Sequence, residues 1–266
     1  MNDRVLTFPV GDRCGTPAGW VVIVTVLLSC AAARGQTDEI QVYDATIAAP
    51  GSVNLTLHSN YTFAGRKVPD FPGGVSPDRT LNGTAEWAYG VTDWFEAGLY
   101  APLYSIEPNG DTRFNGVKLR GLFVSPGAAD RTFFYGINFE FSYNQTGWDR
   151  KRFTSEIRPI FGWRLGQLDL IFNPILDNSY EGLSRLDFAP ASRLAWHFSD
   201  TLAVAAEEYD DFGPLRRFLP LAQQSHQLFA VVDYAGPVSV EAGLGWGMTR
   251  ASDNLIAKLI LSSDLN

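Results

Sequence analysis

Residues Arg131 to Asn144 read RTFFYGINFEFSYN. In an extended chain successive side chains point to opposite faces, so Phe133, Tyr135, Ile137, Phe139, Phe141 and Tyr143 share one side. Gly136, Asn138, Glu140, Ser142 and Asn144 share the other. Two structures suit such a strand. Its apolar face packs on a second sheet in a soluble sandwich, or it meets lipid on the outside of a closed barrel whose interior takes the polar face.

The same alternation runs through the rest of the chain. Val53, Leu55, Leu57, Tyr61 and Phe63 alternate with Asn54, Thr56, His58, Asn60 and Thr62, and Phe153, Ile157, Phe161, Trp163 and Leu165 with Thr154, Glu156, Arg158, Gly162 and Arg164. Twelve such segments can be drawn between residues 51 and 266, the eighth bulged at Pro190. Strand length separates the two structures. Soluble strands have about five to six residues, whereas a tilted membrane strand needs about nine to eleven, and the segments at 51–63, 131–144 and 153–165 are of the longer kind.

The connections point the same way. Long gaps such as GRKVPDFPGGVSPD, NQTGWDRKR and DDFGPLRRFLPLAQQS mostly alternate with short ones such as VTD, LGQ, SDT and AGP, with SPGAAD long for a turn and TRASD short for a loop. One membrane side with tight turns and another with longer loops produces that pattern. Aromatic residues gather at two levels. Trp87, Tyr89, Trp94, Phe133, Trp163, Trp196 and Tyr234 fall near the short turns, and Tyr61, Tyr100, Tyr143, Phe153 and Trp246 near the long loops. These are the two interfacial girdles of a membrane barrel. The fold expected is all-β, an up-and-down antiparallel transmembrane β-barrel of about twelve strands in a bacterial outer membrane.

The N-terminus reads GWVVIVTVLLSCAAARG, an apolar run with a small-residue cleavage site before Gln36, so residues 1–35 are expected to be a secretory signal. LLSC at Cys30 also fits a lipidation box. Residues 36–50 are then a periplasmic N-terminal segment and 51–266 the barrel. Cys14 and Cys30 both lie in the signal, and a large exported chain without disulfides suits a bacterial envelope. Removing residues 1–35 takes away three bases and two acids, leaving 18 Lys and Arg against 27 Asp and Glu. That balance argues against a nucleic-acid partner.

Several stretches carry a family likeness: DEIQVYDATI after the cleavage site, AAEEYDDFGPL around Tyr209, HQLFAVVDY, and the closing VEAGLGWGMTRASDNLIAKLIL. In these the chain resembles the proteobacterial outer-membrane proteins grouped as the MetA-pathway of phenol degradation family. The resemblance implies a channel-like β-barrel and, in some members, an association with catabolism of aromatic compounds. The outer-membrane assembly machinery is an expected partner, although the chain closes SSDLN without the terminal aromatic residue such barrels usually carry.

Catalysis is not expected. No G-x-S-x-G or comparable motif surrounds a serine. His58, His197 and His226 are the only histidines, with no H-x-x-H, H-E-x-x-H or cysteine cluster, so no metal or other cofactor is expected either. The informative set is the charged residues of the polar face. Glu86, Glu96, Lys118, Arg120, Glu140, Glu156, Arg158, Arg164, Asp169, Arg185, Asp187, Arg193 and Lys258 are expected to line the interior, together with Glu207, Asp233 and Glu241. Such residues line a narrow water path, or pair across it and seal it. The expected function is therefore a narrow passive channel for small solutes, aromatic compounds among them. The alternative is a sealed barrel with a structural or surface-binding role. Bases also crowd the long loops, where Arg150, Lys151, Arg152, Arg216 and Arg217 are expected to hold the phosphates of lipopolysaccharide.

Overall fold

A computed structural model describes residues 39–265. The expected signal at residues 1–35, with Cys30, lies outside the described residues. The chain forms one closed antiparallel sheet of twelve wall strands. These are β1 (Val53–Ala64), β2 (Leu81–Gly90), β3 (Phe95–Ile106), β4 (Thr112–Val124), β5 (Phe133–Asn144) and β6 (Phe153–Leu165). Next come β7 (Leu168–Asn173, continued by Leu176–Asn178), β8 (Asp187–Phe188, continued by Ala191–His197) and β9 (Leu202–Asp211). The last are β10 (Ser225–Tyr234), β11 (Ser239–Gly247) and β12 (Leu255–Asp264). Each strand pairs with its sequence neighbour, and β1 closes the ring on β12 through pairs such as Leu57 with Leu261.

Proline explains the two broken strands. Pro174 separates the halves of β7 and Pro190 those of β8, because a proline has no N–H to give the ladder. The interruption expected at Pro190 is found there.

The facing follows the alternation. On β5, Phe133, Tyr135, Phe139 and Phe141 are exposed on the outer wall, while Phe134, Asn138, Glu140, Ser142 and Asn144 are buried within. A closed ring satisfies every wall strand's backbone hydrogen bonds, which is what allows strands to cross hydrocarbon. With an apolar outside and a polar inside, the protein is an outer-membrane β-barrel. The turn-side girdle is present, with Trp87, Tyr89, Trp94, Phe133, Trp163, Trp196 and Tyr234 all exposed.

Two expectations are corrected. Tyr100 is not in the loop-side girdle; it is wholly buried inside the barrel. On β3, Tyr100 pairs with Lys118 and Leu103 with Gly116, so Ala101 and Pro102 together oppose the single residue Val117. Tyr100 shares the inward face with Glu96 by the strand's own alternation, and the bulge just beyond it resets the register so that Leu103 also turns inward. The second correction concerns residues 36–50, expected on the periplasmic side. From Glu39 onward this segment runs inside the barrel, with Glu39, Ile40, Val42, Tyr43, Ala45 and Ala48 buried. Its apolar side chains give the reason. Val42, Tyr43 and Ala45 pack with Leu122, Val124, Phe134, Ile160 and Ile171 of the inner wall, and Ile40 packs with Ala195, Ala205, Phe229, Val231 and Ile256. Water would not accept those groups as well.

Candidate functional site

The inner wall holds the segment by its backbone. Asn173 on β7 clasps Tyr43 from both sides, with Tyr43 N donating to Asn173 Oδ1 at 2.8 Å and Asn173 Nδ2 donating to Tyr43 O at 3.1 Å. Glu96 on β3 accepts from Ala48 N at 2.5 Å. Arg158 Nη1 donates to Gln41 O at 3.0 Å and Lys258 Nζ to Ile40 O at 3.2 Å. A segment without regular structure leaves its peptide groups to be satisfied by side chains, and charged interior residues are the donors and acceptors at hand.

Those same residues form two ion-pair networks. In the first, Arg158 Nε donates to Glu156 Oε1 at 2.6 Å and its Nη2 to Glu39 Oε1 at 3.2 Å, while its guanidinium lies 4.4 Å from the Tyr43 ring centre. Lys118 pairs with Glu140 at 2.9 Å, and Arg120 pairs with Glu86 at 2.7 Å and with Glu96. The Tyr43 and Tyr100 hydroxyls meet at 2.5 Å between them. In the second network Lys258 binds Glu207 and, at 2.5 Å, Glu241. Arg193 binds Glu207 and Asp233, and reaches Glu241 at 3.4 Å. Charges removed from water are tolerated when they are paired, and each of these has an ion-pair partner.

Above the segment, toward the long loops, lies a cavity of about 360 Å³. Glu39, Ile40 and Gln41 border it, and its rim reaches loop residues such as Arg66, Asp149 and Asp253. Of the residues expected to line a passage, Lys118, Glu140, Glu156, Arg158 and Asp187 border this vestibule. Its charge is uneven. Glu39, Glu140, Asp149, Glu156, Asp177, Asp187, Asp210, Asp211 and Asp253 stand against Arg66, Lys118 and Arg158. In register, Glu156, Asp177 and Asp187 face one another across β6, β7 and β8. At the rim, burial pushes the Asp149 carboxyl above its ordinary value, although Lys151 N donates to it at 2.7 Å.

Other expected lining residues sit elsewhere. Glu86, Glu96, Arg120, Arg193 and Lys258 belong to the ion-pair networks and do not border the vestibule. Asp169 pairs with His197 Nε2 at 2.9 Å near the short turns. Arg164 donates to the carbonyls of Ala128 at 2.5 Å and Asp44 at 3.4 Å and stacks on Phe134. Arg185 is a correction: it lies exposed in the short helical turn Leu183–Arg185 of the β7–β8 loop, because the strand does not resume until Asp187.

The loop bases are spread out. Arg150 Nη2 donates to Asp70 O at 3.2 Å, Lys151 pairs with Glu181 at 2.5 Å, and Arg152 Nη1 donates to the Tyr143 hydroxyl at 3.3 Å. Arg216 and Arg217 are exposed.

The fold also brings Glu39, His58 and Glu86 together, all buried, with a ligand atom from each within 4.8 Å of the others. No spacing in the sequence announces that triplet. The signal for the luminal segment itself was present, since Ile40, Val42 and Ile47 are apolar residues that a solvated strap would not need.

Comparison with known proteins bears on the fold. No protein-family model and no curated protein sequence matches the chain. Among solved structures it is similar to the COG4313 outer membrane channel from Pseudomonas putida F1, with a TM-score of 0.56 and 12% identity over 85% of this chain and 100% of that one. It also matches the translocator domain of the autotransporter NalP from Neisseria meningitidis, with a TM-score of 0.44 and 11% identity over 80% of this chain and 88% of that one. The first likeness carries the barrel architecture.

Proposed function

We propose that the protein is a narrow passive channel for small solutes in which residues 39–49, lying in the lumen, set the flux. The observation that carries this reading is the charged vestibule of about 360 Å³, which is bordered at its inner end by Glu39, Ile40 and Gln41. A twelve-stranded barrel encloses less space than the 16 to 18 strands of open porins, and the segment takes up part of it. Aromatic compounds are the solute class to which the resemblance to the phenol-degradation family points. His226 is disfavoured as a catalytic base. His226 gives Nδ1 to Asp210 at 2.6 Å and Nε2 to Gln224 at 2.9 Å, which leaves neither nitrogen to activate a hydroxyl.

The sealed barrel is the second reading, favoured by the paired interior charges and the two apolar clusters around the segment. Planar-bilayer recording separates the two. A channel gives small steps in the wild type and larger ones when residues 39–49 are deleted. A correctly folded barrel that is silent in both forms, and that admits neither phenol nor arabinose in liposome swelling, is sealed.

A further inference from the structure

We propose that Glu39, His58 and Glu86 bind a divalent transition-metal cation, zinc by the chemistry of the donors, and so clamp the luminal segment to the wall. The three residues come from the segment, β1 and β2, and one donor atom of each lies within 4.8 Å of the other two. Both carboxylates are divided between two tasks. Glu86 gives Oε1 to Arg120 at 2.7 Å and Oε2 to His58 Nε2 at 3.0 Å. Glu39 gives Oε1 to Arg158 at 3.2 Å and to the Tyr43 hydroxyl at 3.4 Å, while its Oε2 is buried without a hydrogen-bond partner. Glu39 is only 6% exposed. A carboxylate oxygen so deeply buried calls for a donor or a cation.

The local charge calls for the same thing. Among the described residues, Glu39, Glu86, Glu96, Glu140 and Glu156 share the first network with Lys118, Arg120 and Arg158, a balance of five acids to three bases. One divalent cation beside a neutral His58 cancels the difference. Arg120 and Arg158 then act as outer partners that hold each carboxylate's other oxygen and fix its orientation.

The donor set selects the ion. Imidazole with carboxylate suits zinc, whereas calcium and magnesium take oxygen ligands alone. Zinc bonds of about 2.0–2.2 Å place two tetrahedral ligands about 3.4 Å apart, so the widest separation must close. Glu39 is the ligand able to move, since it lies outside the strands. It also borders the vestibule, which is the route of entry.

The test is equilibrium dialysis of the folded full-length barrel in detergent against zinc chloride, with metal content read by atomic absorption. One zinc per chain is expected, not displaced by excess calcium or magnesium. Glu39→Gln and His58→Ala should each lose it, and His197→Ala should keep it. Glu39→Gln leaves every wall strand intact, so heat-modifiable migration will separate lost binding from lost folding. A wild type that binds no zinc, or the same stoichiometry in Glu39→Gln and His58→Ala as in the wild type, overturns the site. No transport measurement enters, so the result stands whether or not the barrel conducts.

Discussion

Phe134 stands directly opposite Gly162 across the β5–β6 ladder, and a Cβ on that glycine would lie 2.0 Å from the buried ring. The arrangement recurs at Phe229 and Gly245 between β10 and β11, where the approach would be 2.3 Å. Both rings are wholly buried inside the barrel and belong to the two apolar clusters that receive the luminal segment. The glycines are therefore the space into which the rings fold.

Gly162→Ala should destabilise the barrel by about 1 to 3 kcal/mol through overpacking. Phe134→Leu in the same chain should recover part of that loss. Urea unfolding followed by gel mobility measures both, and a stable Gly162→Ala barrel would show that the ring has somewhere else to go.

Facing can be tested at two positions. Phe139 is exposed on the outer wall, whereas Thr154 points into the vestibule. Arginine in place of Phe139 should cost about 2 to 4 kcal/mol near the bilayer midplane. Thr154→Arg should assemble at close to wild-type yield, because its charge meets water and acidic neighbours. Equal assembly defects in the two variants would contradict the assignment of faces.

Arg158 ties the wall to the segment through Glu39 and Gln41. Arg158→Ala removes that tie together with a counter-charge of Glu156, and breaking a buried pair from one side costs about 3 to 5 kcal/mol. Single-channel conductance should rise in this variant and become more variable. Arg164, which holds the Asp44 carbonyl, should add to the effect when changed to Ala in the same chain. Identical conductance in wild type and double variant would mean that the segment does not limit flux.

Ion preference follows from the vestibule. Nine acids and three bases border it, so a conducting wild type should favour cations, with a reversal potential across a potassium chloride gradient shifted toward that of potassium. The interior residues read from the sequence, nine acids and seven bases with Arg164 and Arg185 among them, are more evenly balanced. Arg185 is exposed in a loop and Arg164 does not border the vestibule. Anion preference would argue that ions take another path.

Arg150, Lys151, Arg152, Arg216 and Arg217 remain a proposal for lipopolysaccharide phosphates. Replacing all five by Gln should lower the lipopolysaccharide that copurifies. Lys151 should contribute least, since Glu181 already neutralises it at 2.5 Å. Unchanged lipid content in the fivefold variant would leave them as solvated loop charges.

What the sequence determined by itself is the wall. A strand's side chains alternate with period two whatever the surroundings, so Phe133 to Tyr143 announced an outward face, and loop lengths announced the two membrane sides. Proline marked the break in β8 for an equally local reason, and Pro174 breaks β7 in the same way. Tertiary structure alone decided what occupies the interior. Arg158 meets Glu39 119 residues away, and Asn173 meets Tyr43 across 130. Those distances close only when twelve strands complete a ring, and no local pattern encodes which side chains then point at one another. Leu103 turned inward because one bulge on β3 shifted the register, and Arg185 stayed outside because its strand began two residues later. The gathering of Glu39, His58 and Glu86 is of the same kind. It needs β1 beside β2 and the segment drawn inside by its own apolar residues, a balance of burial against hydration that is settled only once the barrel has closed.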